Sequence, residues 1–245
     1  MIESPFHDLL SEAHRTHRDA FDPGVVEGAQ LLSIKTGACP EDCAYCPQSA
    51  VHITGLRPEP LLPLETIMQE AVAAKVSGAT RFCMGAAWRA PSDSQVARVT
   101  EAVEAVAALG LETCVTLGML TDAQAQSLAS SGLDYYNHNL DTSPEFYDQI
   151  ITTRTYDDRL ETLQSVRNSG VKLCTGGIIG MGESVEDRAA MLAQLASMNP
   201  HPESVPINLL IKIPGTPLAE APDVHGFDLV RVIAAARITM PQSVL

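Results

Sequence analysis

Three cysteines fall within eight residues, Cys39-Pro40-Glu41-Asp42-Cys43-Ala44-Tyr45-Cys46, in a C-x3-C-x2-C spacing. Thiolates spaced this way share one tight loop. They can hold three irons of a cubane [4Fe-4S] cluster and leave the fourth iron open to an external molecule. Two other uses of the same residues stay open: a structural zinc site completed by His52, or plain free thiols. Zinc sites more often pair a C-x2-C with a second such pair far along the chain. The remaining cysteines, Cys83, Cys114 and Cys174, each sit in a short apolar segment. Singly, each reads as a small buried hydrophobe. Together, on neighbouring strands with side chains turned inward, they could offer three soft ligands to a second iron-sulfur cluster.

Polar residues that could meet a ligand gather at a few places. Asn137-His138-Asn139-Leu140-Asp141 follows an apolar run and reads either as a turn bonding its own backbone or as a set of ligand contacts. Asn208 is an amide inside an otherwise apolar stretch, so a buried setting would oblige it to find a partner. Arg159 reads as a solvated helix arginine or as a planar donor to a carboxylate. Gly85-Ala86-Ala87 and Gly176-Gly177-Ile178-Ile179-Gly180 lack bulk and would let backbone approach a ligand, or form ordinary turns. His14 and His225 carry no such signal.

Strand-like and helix-like segments alternate along the chain and would position these residues. An amphipathic helix over 6–21 is expected to pack across one end of the core. Six strand–helix units then follow. The strands are read at 31–34, 80–84, 112–116, 133–137, 171–174 and 205–211, and the helices at 64–76, 92–109, 121–130, 157–168, 185–198 and 228–239. Thr121 serves as an N-cap, and Gly78 and Gly170 as stops. Ser243-Val244-Leu245 reads as the start of a seventh strand. No G-x-G-x-x-G follows the first strand, which argues against a dinucleotide-binding sheet. The expectation is α/β: one domain over 1–245 forming an incomplete TIM-type (βα) barrel, with its chemistry at the C-terminal ends of the strands.

Composition narrows the setting. The 245 residues are 45% hydrophobic and carry a net charge of −14, which disfavours nucleic acid and anionic membranes as partners. No apolar run approaches the ~20 residues a membrane helix needs, and no leader pattern opens the chain, so a cytoplasmic, reducing setting is expected.

The cysteine loop, read as LLSIKTGACPEDCAYCPQS, resembles the biotin synthases of the radical S-adenosylmethionine (SAM) superfamily. The likeness continues through RFCMGAAW, YYNHNLDTSPEFY, TTRTY, GGIIGMGE and ESVPINLLIKIPGTPL, covering about residues 8–245. It implies a [4Fe-4S] cluster on Cys39, Cys43 and Cys46, and a [2Fe-2S] cluster on Cys83, Cys114 and Cys174. In the family that second cluster takes an arginine on strand seven as fourth ligand, which by register would follow Leu245. The resemblance also assigns Asn139 and Asn208, with Asn137 alongside, to the ureido ring of dethiobiotin. It gives Asp141 to the ribose of SAM, Arg159 to its carboxylate, the Ala86 carbonyl to its amino group, and Tyr45, Ile178 and Ile211 to the adenine.

The implied activity is reductive SAM cleavage and radical insertion of sulfur into dethiobiotin, the last step of biotin formation, served by a reducing electron-transfer protein. The family is usually homodimeric. Lipoyl synthase, another radical SAM enzyme, would need a further cysteine motif before Cys39, and none is present. The alternative carried forward is a C-terminally truncated, impaired chain that binds one cluster and SAM without completing sulfur insertion.

Overall fold

The structure, a computed structural model, describes residues 1–245. Seven α-helices are present: α1 Phe6–Ala20, α2 Leu64–Val76, α3 Asp93–Ala107, α4 Asp122–Ser130, α5 Tyr156–Asn168, α6 Val185–Ala196 and α7 Gly226–Thr239. The strands are β1 Ala29–Lys35, β2 Arg81–Ala86, β3 Glu112–Thr116, β4 Tyr135–Asn137, β5 Lys172–Cys174, β6 Gly177–Ile179 and β7 Ile207–Leu209. Four helices begin with a reciprocal capping box, Ser92/Gln95, Thr121/Gln124, Thr155/Asp158 and Ser184/Asp187. Each cap is worth about 1 kcal/mol and fixes where its helix starts behind a strand end.

All strand pairing is parallel. β1 to β5 form one sheet in sequential order, and β6 pairs with β7. Single bridges join the two sheets: Asp141 opposite Gly177, and Cys174 opposite Ser204. The period-two alternation of a strand then sorts the residues. Ile34, Phe82, Met84, Val115, Tyr136 and Leu173 turn to one face, under the helices, where they are almost wholly buried and form the main core. Leu31, Ser33, Cys83, Gly85, Cys114, Thr116, Asn137 and Cys174 take the alternate positions on the other face. Register aligns them in rows, with Cys83 opposite Cys114 and Asn137 opposite Cys174.

The first helix packs on α7 through a small cluster of Leu9, Ala13 and Ala234. The structure departs from the sequence reading in two places. The fifth strand is longer than expected: after a break at Thr175-Gly176 it resumes as β6, so Gly177–Ile179 is strand and not turn. The break occurs where Thr175 N–H turns to Ser204 O at 2.9 Å and Gly177 N–H to Pro206 O at 3.0 Å. The sixth strand shrinks to Ile207–Leu209, because Pro206 cannot donate to a ladder. The expected start of a seventh strand is present as a parallel bridge between Val244 and Ser204, with Val205 N–H donating to Val244 O at 2.7 Å.

A Cβ added at Gly176 would overlap the Pro206 carbonyl oxygen, which is backbone and cannot swing away. Gly176→Ala is therefore expected to destabilise the fold by about 1–3 kcal/mol or more, as overpacking does. Urea unfolding would measure it, and an unchanged midpoint would mean that the strands part there at no cost.

Candidate active site

The cysteine loop has no regular structure of its own and is held by a segment more than a hundred residues away. Asp42 is the main anchor. Its Oδ1 accepts from Thr152 N and Thr153 N at 3.0 and 3.2 Å and lies 2.9 Å from Thr153 Oγ1, while Thr152 Oγ1 donates to Oδ2. Ala44 N–H donates to Ile150 O at 2.9 Å. Burial alone would raise the Asp42 carboxyl, but the donors on Thr152 and Thr153 outweigh it and hold it down to about 2. Within the loop, Cys39 N–H bonds Gln48 O at 2.9 Å and Ala50 N–H bonds Cys39 O at 2.7 Å. The chain's two non-glycine residues with positive φ, Ala38 at 50° and Asp141 at 69°, both flank this site. Backbone in that sparsely populated region tends to concentrate where function requires it.

Cys39, Cys43 and Cys46 line one cavity of about 320 Å³ with Tyr45, Ala86, Asn137, Asn139, Asp141 and Arg159. Burial, with the Asp141 carboxylate nearby, pushes the Cys43 thiol up to about 12, against the pull of Arg154 and Arg159. A metal must therefore displace that proton in order to bind. His52, the residue considered as a fourth zinc ligand, instead has its Nε2 3.0 Å from the Cys43 carbonyl oxygen.

Opposite the loop, Asp141 Oδ2 accepts from Tyr45 Oη at 2.8 Å and is ion-paired with Arg159, both charges fully buried. Arg159 also donates through Nε to Tyr147 Oη at 2.9 Å and through Nη1 to Asn139 O at 2.6 Å. Asn139 Oδ1 accepts from Gly176 N at 3.1 Å and Asn137 Nδ2 at 3.3 Å, leaving its own Nδ2 as the atom free to meet a ligand. His138 is buried and kept neutral, its pKa pushed far down by burial and then by Arg159 and Arg154.

Deeper on the same face, Cys114 lies within hydrogen-bonding contact of both Cys83 and Cys174. Donation by the Cys114 thiol pulls Cys174 down despite burial, and Asn137 Nδ2 adds a bond to Cys174 Sγ at 3.3 Å. The three strand cysteines thus meet, as their inward orientation suggested. Ile178, Asn208 and Ile211 do not join the main cavity. They line a neighbouring one, shared with Tyr45. Asn208, on β7, is exposed, contrary to the expectation of a buried amide, and Ile211, beyond the end of β7, is 75% exposed. Sequence reasoning missed Glu41, Arg154 and Tyr147. Glu41 stood inside the cysteine spacing and Arg154 inside TTRTY, but nothing local links them.

Residues 33–195 match the family model of the radical SAM superfamily, and residues 206–245 that of the biotin and thiamin synthesis associated domain. The parallel α/β fold agrees: methylornithine synthase superposes with a TM-score of 0.84 at 19% identity, over 97% of this chain and 69% of that one. The FeFe-hydrogenase maturase HydG from Carboxydothermus hydrogenoformans gives 0.85 at 17%, over 97% and 57%. The family match over residues 33–195 makes the molecule a radical SAM protein, a class that implies a [4Fe-4S] cluster and SAM, and the fold agrees.

The sequence relatives narrow the class further. The biotin synthase of Cellvibrio japonicus (strain Ueda107) is 61% identical over 99% of this chain and 68% of its own length. That of Thioalkalivibrio sulfidiphilus (strain HL-EbGR7) is 63% identical over 99% and 72%. The chain belongs to the biotin synthase family of radical SAM enzymes and spans about 70% of the length of these relatives.

Asp42→Ala should release the cysteine loop and destabilise the metal-free protein by about 1–3 kcal/mol, with Asp42→Asn losing less. The folded carboxyl lies below its ordinary 3.8. Its contribution is therefore full above about pH 4 and lost as pH falls toward about 2. Thermal melts of wild type and Asp42→Asn should converge over that window; parallel curves would contradict the role.

Proposed function

We propose that this chain inserts sulfur into dethiobiotin to give biotin, with Cys39, Cys43 and Cys46 holding a [4Fe-4S] cluster and Cys83, Cys114 and Cys174 a [2Fe-2S] cluster. The observation that carries the reading is the presence of two thiol trios: the loop trio lines the main cavity, and the strand trio clusters on the sheet face whose Ser33, Gly85, Thr116 and Asn137 line that same cavity. Soft thiolates suit iron-sulfur groups. When bound, the two clusters and SAM supply the electron, the hydrogen-abstracting radical and the sulfur atom.

The protein's own part is to hold and shield. Arg159 is the planar donor for the SAM carboxylate, and Asp141 the acceptor for ribose hydroxyls. These two groups pair with each other, and Asp141 also accepts from Tyr45, so the charges that would meet SAM are held facing one another. Ala86 offers backbone to the SAM amino group, and Asn139, with Asn137 beside it, offers amide donors to the ureido ring. Tyr45, Ile178 and Ile211 border the adenine side, and Asn208 is the second ureido contact.

The sequential parallel strands support an incomplete TIM-type barrel, and residues 1–245 are taken as one domain. Six free cysteines suit a reducing cytoplasm; no helix is long and apolar enough to cross a membrane. A reducing electron-transfer protein and a homodimer belong to the same proposal.

A second reading rests on exposure. Leu31 on the inner face is 68% exposed and Ile211 is open to solvent, so the inner space is wet on one side. A primary radical needs water and stray donors excluded. Under that reading the chain cleaves SAM and stops.

Anaerobic reconstitution with iron and sulfide, then SAM, dethiobiotin and a reductant, tests both readings. Biotin formation supports the first. 5′-Deoxyadenosine without biotin supports the second, and neither product defeats both. Cys43→Ala should abolish SAM cleavage. Cys114→Ala should keep SAM cleavage and lose biotin; retained biotin formation would remove the second trio from the mechanism.

A further inference from the structure

Resting on the four-iron reading above, we infer that Arg154, held by Glu41, is a positioning residue that sets the charge at the Cys43 sulfur and so the reduction potential of the loop cluster. Arg154 Nη2 donates toward Cys43 Sγ at 3.9 Å, and its side chain is only 8% exposed. Its Nε is buried without a hydrogen-bond partner, 3.9 Å from Glu41 Oε2. The Glu41 side chain is 2% exposed, and its Oε1 is likewise unpartnered, with Arg89 approaching at 3.5 Å. A buried ion pair left half satisfied is costly and uncommon. Here both partners line the cavity that holds the three loop thiols. Arg154 Nε lies toward Glu41 Oε2, which also accepts from Thr153 Oγ1, and Nη2 is the donor that faces the place where thiolate charge would gather.

Of the other cations nearby, Arg89 is half-exposed and reaches only Glu41, while the other two are hydrogen-bonded elsewhere. Arg159 is taken up by Asp141, Tyr147 and Asn139. The Lys35 ammonium donates to Gly37 O and to Ala87 O at 2.8 Å. Arg154 is the guanidinium that directs a donor at a loop-cysteine sulfur. A cation and an N–H donor beside a cysteine sulfur favour the reduced, more negative state, and a carboxylate opposes it. Arg154 and Glu41 therefore act with opposite signs.

The test uses the full chain reconstituted anaerobically, without SAM or dethiobiotin, and titrated at an electrode that supplies one electron per cluster while absorbance and the electron paramagnetic resonance signal are followed. Arg154→Met should lower the ratio of reduced to oxidised cluster at fixed potential about tenfold, a shift of about 59 mV to more negative potential. Arg154→Lys should stay close to wild type, and Glu41→Gln should shift to more positive potential. An unchanged Arg154→Met, or shifts of the same sign in Arg154→Met and Glu41→Gln, would overturn the assignment. Loss of the cluster from both variants would also overturn it, because the pair would then only hold the loop. Wild type that assembles no cluster would defeat the four-iron reading itself.

Discussion

The site depends on one long-range contact, the grip of residues 150–154 on the cysteine loop. A loop carrying three soft ligands gains little from its own backbone, and unligated thiols repel one another once ionised. Asp42 accepts from two successive backbone N–H groups, and Ala44 N–H donates to Ile150 O, so the loop's shape is held by protein contacts from another part of the chain. The same segment carries Arg154 past Cys43 and leads into α5, whose Arg159 reaches Asp141. One stretch of chain thereby connects the loop, the strand-end acidic group and the cation that balances it.

Beneath that grip the parallel sheet supplies the geometry. Alternation along each strand puts bulky apolar side chains under the helices and small or polar ones on the opposite face, and register lines them up in rows. Cys83, Cys114 and Cys174 come from three strands, yet the pairing of Cys83 with Cys114 and the position of Asn137 beside Cys174 bring them together. The glycines at the β5–β6 break serve the same end, since Gly176 lets the next strand's Pro206 carbonyl approach where a side chain would bar it.

Much of this was legible in the residues alone. Helix starts were readable because Ser or Thr caps with Gln or Asp three residues on are local signals, and α2 falls at Leu64–Val76 as its pattern implies. The loop thiols and the 137–141 cluster were readable because their chemistry lies in short runs. What escaped is tertiary. The break at Thr175-Gly176 follows from Ser204 and Pro206 on another strand, not from glycine itself. Asn208 was read as a buried amide from its apolar run, yet it lies exposed on the short β7, because burial depends on what covers that face and not on the run itself. Glu41 and Arg154 stand 113 positions apart in the numbering, a separation at which no spacing rule operates.

The central claim is that three loop thiolates hold a cube of iron and sulfide whose remaining iron is open to SAM. Mössbauer spectroscopy of the anaerobically reconstituted chain, recorded before and after SAM is added, tests it most directly. The account predicts a four-iron cluster in which SAM changes the signal of one iron and leaves the others alone. A spectrum indifferent to SAM, or iron held in no cluster at all, would contradict it.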